Sequence, residues 1–337
     1  MKKDSDHAVI LRWINSIEKG QIRSLSRAIT LLESTRIEDQ NQARNLLEGA
    51  LERLNKTDRI PTTRIGISGP PGVGKSSYIE SLGMHLLSLG FRVCVLAVDP
   101  SSRVSGGSIL GDKIRMERLS TQANAFIRPS PSQQILGGVT HTTQSIMSLC
   151  ELAGYSAILI ETVGIGQNEG AVADMVDCFI LLNQPGSGDE LQGIKRGVLE
   201  FADVLLVNKM DGATKYLAQQ TLQSLQSTSQ LINHSLKNYQ VPIIGVSSVE
   251  ETGISESWQA VAKFLEQAKS IGYFKHKRQL QQEQWFKKLS EFYWLQHLHT
   301  AKHSRHLKNT LLKEMQLGKK SILEAAQEFT RTLLNNR

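Results

Sequence analysis

The sequence feature that most restricts the fold is a glycine-rich stretch at residues 69–76, Gly-Pro-Pro-Gly-Val-Gly-Lys-Ser. It matches the pattern GxxxxGK[ST] at each fixed position, follows an apolar run at 64–68 and precedes a helical pattern at 78–89. Strand, loop and helix in this order form a cradle in which backbone N–H groups and the positive end of the helix bind a polyphosphate. The motif predicts a nucleotide site in an α/β protein with the architecture of a P-loop NTPase.

The last two residues of the pattern, Lys75 and Ser76, have chemical roles in such loops. A lysine there is the mobile cation on the β- and γ-phosphates, and the serine hydroxyl is a ligand to Mg²⁺. We expect the rest of the loop to line the phosphates. These residues are Gly69, Pro70, Pro71, Gly72, Val73, Gly74 and Ser77.

A second motif, Asn-Lys-Met-Asp at residues 208–211, indicates which base is bound. It follows a strand-like run at 203–207, and open α/β sheets bind ligands at the carboxyl ends of their strands. The carboxylate of Asp211 suits the ring N1–H and exocyclic amine of guanine, whereas adenine would leave it unpaired. Asn208 can reach the purine, and the stem of Lys209 can lie along the base. Because charged hydrogen bonds contribute about 1.5–3 kcal/mol each, the motif predicts GTP rather than ATP.

Composition excludes several classes of protein. The 337 residues are 40% apolar and 21% charged, which is typical of a soluble globular chain. No apolar stretch reaches the roughly 20 residues that span a bilayer, and the first residues lack the continuous apolar core of a secretory signal. We therefore expect a cytoplasmic protein without membrane association. Its cysteines are expected to be buried free thiols: Cys94, Cys150 and Cys178.

The net charge of +7 is concentrated near the C-terminus. Residues 271–337 contain 13 lysines and arginines against 5 aspartates and glutamates. Lysine-rich helices are commonly just solvated, and binding to an acidic partner surface is the alternative. No nucleic-acid-binding motif accompanies the charge, so we expect no nucleic-acid partner.

Hydrophobic periodicity divides the chain into three predicted parts. Residues 1–60 repeat apolar positions every three or four residues and predict an N-terminal helical extension. Residues 61–272 alternate apolar runs with helical stretches, which predicts a mostly parallel sheet with helices on both faces. Residues 273–337 predict a C-terminal helical arm, in which an aromatic stripe at 285–293 suits packing or an oligomer contact. The seven predicted strands are 64–68, 92–98, 124–128, 156–161, 178–183, 203–207 and 241–246.

Two of the predicted strands end in carboxylates, Asp99 and Glu161. The carboxyl ends of parallel strands meet near the phosphate loop, so both acids are expected to reach Mg²⁺ directly or through its waters. Asp112 lies in a glycine-rich segment suited to a moving metal ligand. Gly164 is expected to offer its N–H to the γ-phosphate, so that loss of this phosphate releases the loop.

Four longer segments make the chain resemble a known family. They are 98–102 (VDPSS), 106–113 (GGSILGDK), 161–167 (ETVGIGQ) and 188–195 (GDELQGIK). They look like segments of the MeaB/ArgK GTPases, which resemble the signal-recognition and metallochaperone NTPases, and the resemblance spans roughly 25–272. It implies a GTP-hydrolysing chaperone that gates cofactor loading into an adenosylcobalamin-dependent methylmalonyl-CoA mutase and protects that mutase. It also implies a homodimer formed through the C-terminal helices.

The resemblance implies roles for single residues. The catalytic candidates are Lys75, Asp99 and Glu161. The magnesium ligands are Ser76, Asp99, Asp112 and Glu161. The guanine contacts are Asn208, Lys209, Asp211, Ser247 and Ser248. The segment 184–195 corresponds to an additional switch that relays the nucleotide state to the partner.

This sequence departs from the family pattern in two places. Arg103 stands where proline is usual, which puts the flexibility of the first switch in question. Ser248 stands where alanine is common, a mild change because the backbone N–H is kept. Moreover, Ile165 rather than glutamine follows Gly164, so another group must orient the attacking water. Our hypothesis is slow intrinsic hydrolysis that the mutase accelerates, with Asp99 or Glu161 orienting the water.

Two other functions remain open on the sequence. The family also carries an older label as an ATPase or kinase of arginine and ornithine (LAO/AO) transport, although the motif at 208–211 favours guanine. A metal-insertion GTPase would need a cluster of metal ligands, for which a solvated helix face rich in lysine and arginine is the simpler explanation. The candidate ligands are His297, His299, His303 and His306.

Overall fold

The structure is a computed structural model that describes residues 2–34, 36–56, 61–99, 116–131, 139–162, 169–186, 196–228, 234–236, 239–300 and 302–335. The described residues fall into two compact units, the first reaching Gln282 and the second beginning at Glu283. The candidate site lies entirely in the first unit.

The first unit is built on one sheet of seven strands. They are β1 (Thr63–Ser68), β2 (Val93–Asp99), β3 (Ala125–Pro131), β4 (Ala157–Thr162), β5 (Cys178–Asn183), β6 (Val204–Val207) and β7 (Ile243–Gly245). All pairings are parallel, in the order β3-β2-β4-β1-β5-β6-β7. Each predicted strand is confirmed. The strand that leads into the phosphate loop, β1, is central.

The helices of the first unit lie between these strands or before them. In chain order they are α1 (Lys2–Glu18), α2 (Ile22–Leu32), α3 (Ile37–Lys56), α4 (Lys75–Ser88), α5 (Glu117–Ser120), α6 (Val139–Leu152), α7 (Glu169–Ala173), α8 (Arg196–Leu199), α9 (Lys215–Thr228) and α10 (Ile254–Ser270). A further helix, α11 (Tyr273–Thr300), begins in the first unit and continues into the second.

Both faces of the sheet are covered, because its strands carry apolar side chains on both sides. In β4, Ile158 and Ile160 pack into one core with side chains of α1, α2, α3, α6 and α7. Ala157 and Leu159 point to the other side, into a core with side chains of α4, α5 and α10. Strands buried on both faces read as continuous apolar runs, which is why they were recognisable in the sequence. The prediction of helices on both faces is confirmed.

Partly buried ion pairs lie at the amino ends of the strands, which we call the amino edge. Arg64, the second residue of β1, donates from Nε to Glu151 Oε1 at 2.7 Å. Arg278, in the first turns of α11, donates from Nε to Asp177 Oδ1 at 2.6 Å and from Nη2 to Asp177 Oδ2 at 2.7 Å. Lys277 Nζ lies 3.5 Å from Asp203 Oδ2, and His234 Nε2 lies 2.8 Å from Asp203 Oδ1. Carboxylates at this edge are therefore paired with basic side chains.

The second unit is helical. After the end of α11 it contains α12 (Lys302–Gln316) and α13 (Ile322–Asn335), and Gly318 between them adopts a φ of 68°. This glycine therefore lies at the turn that separates the two helices. No helix among the described residues is both long enough and apolar enough to cross a membrane.

Candidate nucleotide-binding site

The phosphate loop joins the end of β1 to α4 in a conformation that depends on glycine. Gly69 has a φ of 156°, and a Cβ there would lie 2.7 Å from the carbonyl oxygen of Leu182. Gly74 has a φ of 93°, and its Cβ would lie 2.6 Å from Asn208 Nδ2. The helix begins at Lys75, three residues earlier than its predicted start, so the lysine lies in the first turn of α4.

The ammonium group of Lys75 folds back over the loop that precedes it. Its Nζ donates to the carbonyl oxygen of Gly69 at 2.8 Å and to that of Pro70 at 3.1 Å. The residue is 8% exposed. Burial lowers the pKa of Lys75 from its usual value, and the charge of Glu161 acts in the opposite direction. This cation thus rests on neutral carbonyl groups, which a phosphate oxygen can replace as acceptors.

A hydroxyl and a carboxylate meet beside Lys75. Ser76 Oγ donates to Glu161 Oε1 at 2.8 Å, which brings the first turn of α4 against the end of β4. The next residue, Thr162, donates from Oγ1 to Ser68 Oγ at 2.8 Å in a buried contact. Hard oxygen donors of this kind are those that Mg²⁺ prefers, so the chemistry of the Ser76–Glu161 pair fits the predicted metal. The metal itself stays a prediction.

Asn208 connects the phosphate loop to residues 246–253, which we call the guanine loop because it contains the predicted guanine contacts Ser247 and Ser248. Its Nδ2 donates to the carbonyl oxygen of Val73 at 2.8 Å. Its Oδ1 accepts from Ser248 Oγ at 2.9 Å and from the Ser248 N–H at 3.3 Å. The side chain is 2% exposed, so its amide holds two loops together in this structure. Its predicted contact with the purine stays a prediction.

Asp211 lies at the end of the 208–211 motif and is oriented by the guanine loop. Ser247 Oγ donates to Asp211 Oδ2 and accepts from the Glu250 N–H at 3.0 Å. Lys209 has a φ of 62°, and its carbonyl oxygen accepts from Thr214 Oγ1 at 3.0 Å. Asp211 lies at the carboxyl ends of the strands, which we call the carboxyl edge. A carboxylate that a hydroxyl holds in this way is suited to accepting from two N–H groups of a base.

The structure brings together most of the predicted site. The phosphate loop, Glu161, the 208–211 motif and Ser247–Ser248 all lie at the carboxyl ends of the strands. Asp99 ends β2, but its side chain lies outside the described residues, as do Asp112, Gly164 and residues 187–195. The roles assigned to these residues stay predictions.

Sequence reasoning missed three hydroxyl groups near the carboxyl ends of the strands: Ser68, Thr162 and Ser81. Ser68 and Thr162 are the last residues of β1 and β4, where a polar residue after an apolar run is a usable signal. Ser81 lies in the middle of α4, and no motif marks it. Its partner, the Ser248 carbonyl, is distant in sequence, so only the folded chain identifies the contact.

Comparison with known proteins places this geometry in a family. A family model described as methylmalonyl Co-A mutase-associated GTPase MeaB matches residues 25–303. The chain belongs to the MeaB family. The sequence resemblance is confirmed, and the match continues beyond residue 272 into α11. With relatives named as GTPases, this membership establishes a GTPase that binds guanine nucleotide and hydrolyses GTP.

Individual relatives align with most of the length of this chain. A mouse protein named methylmalonic aciduria type A homolog, mitochondrial, is 44% identical over 302 residues, which are 88% of this chain and 73% of that protein. The GTPase ArgK of Escherichia coli K12 is 38% identical over 330 residues, covering 97% of this chain and 98% of ArgK. The crystal structure of a LAO/AO transport system kinase aligns with a TM-score of 0.71 at 30% identity, over 97% of this chain and 98% of the other. This likeness supports the P-loop NTPase fold with helical extensions at both ends.

Proposed function

We propose that this GTPase is a chaperone of an adenosylcobalamin-dependent methylmalonyl-CoA mutase, gating loading of its cofactor and protecting it. The family match over residues 25–303, with a description that names association with this mutase, carries the proposal. The name of the mouse relative, which refers to methylmalonic aciduria, supports the same partner. The nucleotide would control the interaction, because loops at the γ-phosphate change shape when it is lost.

In the proposed reaction, Lys75 acts as the cation that stabilises charge on the β- and γ-phosphates. It would exchange the carbonyl oxygens of Gly69 and Pro70 for phosphate oxygens when GTP binds. Phosphoryl transfer involves little covalent chemistry by the protein, so positioning and charge stabilisation supply most of the rate. Glu161 or Asp99 is proposed to orient the attacking water.

Magnesium is proposed to be held by Ser76 and Glu161, with Asp99 and Asp112 as further candidates. The contact between Ser76 Oγ and Glu161 Oε1 supports this assignment, because it places two oxygen ligands side by side. When bound, the ion neutralises charge that develops between the β- and γ-phosphates. Asp211 is proposed to read guanine, held by Ser247.

The segment 184–195 is proposed to relay the nucleotide state to the mutase. Its described part follows β5 directly, and the Gly186 N–H donates to Thr221 Oγ1 at 3.0 Å on α9. This contact ties the start of the segment to the helix that follows the 208–211 motif. This contact supports the proposal that a change at the nucleotide is passed to the segment and from there to the partner.

The proposal is tested by single-turnover GTP hydrolysis with and without methylmalonyl-CoA mutase. We expect slow hydrolysis by the GTPase alone and at least tenfold faster hydrolysis with the mutase. The Lys75→Met variant is the matched control, since it should hydrolyse slowly in both conditions. Equal and fast rates with and without the mutase would rule out gating by this partner.

A second candidate function has one observation in its favour. The aligned structure with a TM-score of 0.71 is described as a LAO/AO transport system kinase. A kinase transfers the γ-phosphate to a protein, whereas a GTPase transfers it to water. Incubation with γ-labelled GTP and a periplasmic arginine-binding or ornithine-binding protein distinguishes them, since only a kinase leaves label on protein.

A homodimer formed by the C-terminal helices is also proposed. Apolar side chains of the second unit are exposed, Phe286 by 72% and Ile322 by 75%. Burial of such side chains against a second copy would remove apolar surface from water. Sedimentation of the whole chain should give a dimer, and the Ile322→Glu and Phe286→Glu variants should shift it toward a monomer. An unchanged mass for both variants would remove these residues from the interface.

A further inference from the structure

The helix that follows the phosphate loop also contacts the guanine loop, through Ser81. This residue lies in the second turn of α4 and is 5% exposed. Its hydroxyl donates to the carbonyl oxygen of Ser248 at 2.8 Å in a fully buried contact. It also lies 3.1 Å from the carbonyl oxygen of Ser77, one turn earlier in the same helix. The shorter contact joins two parts of the site that no sequence motif connects.

This contact closes a ring of hydrogen bonds. From the phosphate loop, the Val73 carbonyl accepts from Asn208, and Asn208 accepts from Ser248. The Ser248 carbonyl accepts from Ser81, and α4 leads back to the phosphate loop at Lys75. The ring therefore includes the phosphate loop, its helix, the end of β6 and the guanine loop.

We propose that Ser81 is a positioning residue that fixes the guanine loop before the nucleotide arrives. Each hydrogen bond of the ring joins two groups of the protein itself, so the ring can hold the loop that orients Asp211 without help from a ligand. A binding loop that is ordered in advance loses less conformational freedom on binding, and the affinity is correspondingly higher. Loss of the Ser81 hydroxyl would also leave a buried carbonyl without this donor, which favours displacement of the loop.

A simpler role for Ser81 is the local bond that helical serines commonly make to a carbonyl one turn earlier. Ser88 in the same helix shows this behaviour, because its hydroxyl donates to the carbonyl oxygen of His85 at 2.7 Å and is exposed. Ser81 differs from Ser88 because it is buried, and because the shorter of its two contacts is to Ser248, outside the helix. The two serines form a matched pair for an experiment. The inference concerns nucleotide binding and does not depend on which partner the GTPase serves.

The test compares Ser81→Ala with Ser88→Ala in the full-length protein. The equilibrium dissociation constant of GDP is measured by calorimetry, and the rate of GDP release with a fluorescent analogue. We expect Ser81→Ala to raise the dissociation constant about tenfold, mainly through faster release, and Ser88→Ala to change it less than twofold. The single-turnover rate at saturating GTP should stay within about threefold for Ser81→Ala, because the Ser81 hydroxyl bonds to Ser77 and Ser248 and not to Lys75, the cation proposed to act on the reacting phosphate.

Two further variants separate positioning from general stability. Ser248→Ala removes the hydroxyl bond to Asn208, and its effect on GDP affinity should be less than additive with that of Ser81→Ala, since both loosen one loop. Ser81→Cys keeps the volume with a weak donor and should resemble Ser81→Ala, which protects the test if the alanine variant fails to fold. A dissociation constant for GDP within twofold of the unaltered protein in folded Ser81→Ala or Ser81→Cys would overturn the proposal. A loss of hydrolysis at saturating GTP equal to the loss of affinity would also overturn it.

Discussion

Two lysines at opposite edges of the sheet, Lys75 buried and Lys277 half-buried, differ in what surrounds their charge. Lys277, at the amino edge, has Asp203 Oδ2 at 3.5 Å; burial alone would lower its pKa, but Asp203 and other neighbours outweigh burial and raise it. Lys75, at the carboxyl edge, donates to two neutral carbonyl groups, and its pKa is lowered by burial despite the charge of Glu161.

This difference extends to the neighbours of both lysines. At the amino edge, carboxylates pair with guanidinium, ammonium or imidazole groups. At the carboxyl edge, Glu161 and Asp211 accept hydrogen bonds from serine hydroxyls. Removal of one partner from a buried ion pair leaves an uncompensated charge, whereas a charge that is held by neutral groups can exchange them for a charged ligand. The kind of partner therefore distinguishes the structural edge from the binding edge.

The largest expected effect is that of Lys75→Met on hydrolysis. Removal of the cation should lower the single-turnover rate about a thousandfold, because charge on the transferred phosphate loses a preorganised partner. The free energy of unfolding should stay within about 1 kcal/mol, since methionine removes a buried charge that is bonded to neutral carbonyl groups, while Glu161 keeps its hydrogen bond from Ser76. Single-turnover kinetics and urea denaturation measure the two quantities. A large loss of stability would contradict the contrast between the edges.

The second expected effect is the reverse case, Arg278→Met at the amino edge. This change leaves Asp177 buried without its guanidinium partner and should reduce the free energy of unfolding by about 3 kcal/mol. GTP hydrolysis by the folded fraction should change less than twofold. Urea denaturation gives the first value, and single-turnover assays well below the transition temperature give the second. If hydrolysis were lost in folded protein, the amino edge would have to be counted as part of the functional site.

The third prediction concerns the base and uses Asp211→Asn. Guanine would lose a charged acceptor, and GDP affinity should fall about a hundredfold. Xanthosine diphosphate should bind better than GDP to this variant, because an amide N–H can donate to the oxygen at position 2 of xanthine. Calorimetric titration with both nucleotides checks the exchange. A variant that keeps its preference for GDP would show that Asp211 does not read the base.

The smallest expected effect is that of an exposed ion pair near the guanine loop. Arg118 Nη1 contacts Glu251 Oε1, with side-chain exposures of 58% and 45%. Exposed pairs contribute about 0–1 kcal/mol. Arg118→Ala should therefore change the GDP affinity by less than about threefold and the free energy of unfolding by less than about 1 kcal/mol. Titrations at low and high salt provide the check. A much larger change would mean that this pair, despite its exposure, helps to hold the loop.

Several features of the fold were readable because they depend on short stretches of sequence. All seven strands were predicted within a few residues, since strands buried on two faces are continuous apolar runs. The phosphate loop and the 208–211 motif were recognisable because their backbone and hydrogen-bonding needs fix residue types at short spacings. The start of α4 was placed three residues late, because Lys75 and Ser76 belong to the loop pattern and to the helix at once.

Other features depended on contacts across the chain. The contact of Asn208 with the purine stays a prediction, and its bonds to Val73 and Ser248 could not be read from the sequence. The ion pairs of the amino edge join residues from β1, α6 and α11, none of which forms a motif. Charged residues at helix and strand ends are common, so sequence alone does not select the pairs that meet.

The sequence by itself determined the order of strands and helices along the chain, the phosphate loop and the preference for guanine. These features arise from local periodicity, glycine conformations and the chemistry of a few adjacent side chains. Only the tertiary structure decided that carboxylates are paired with basic side chains at the amino edge of the sheet. It also decided that Ser81 bonds to a loop 167 residues further along the chain. The physical reason is that burial and hydrogen-bond partners are set by packing of distant segments, which composition and spacing do not specify.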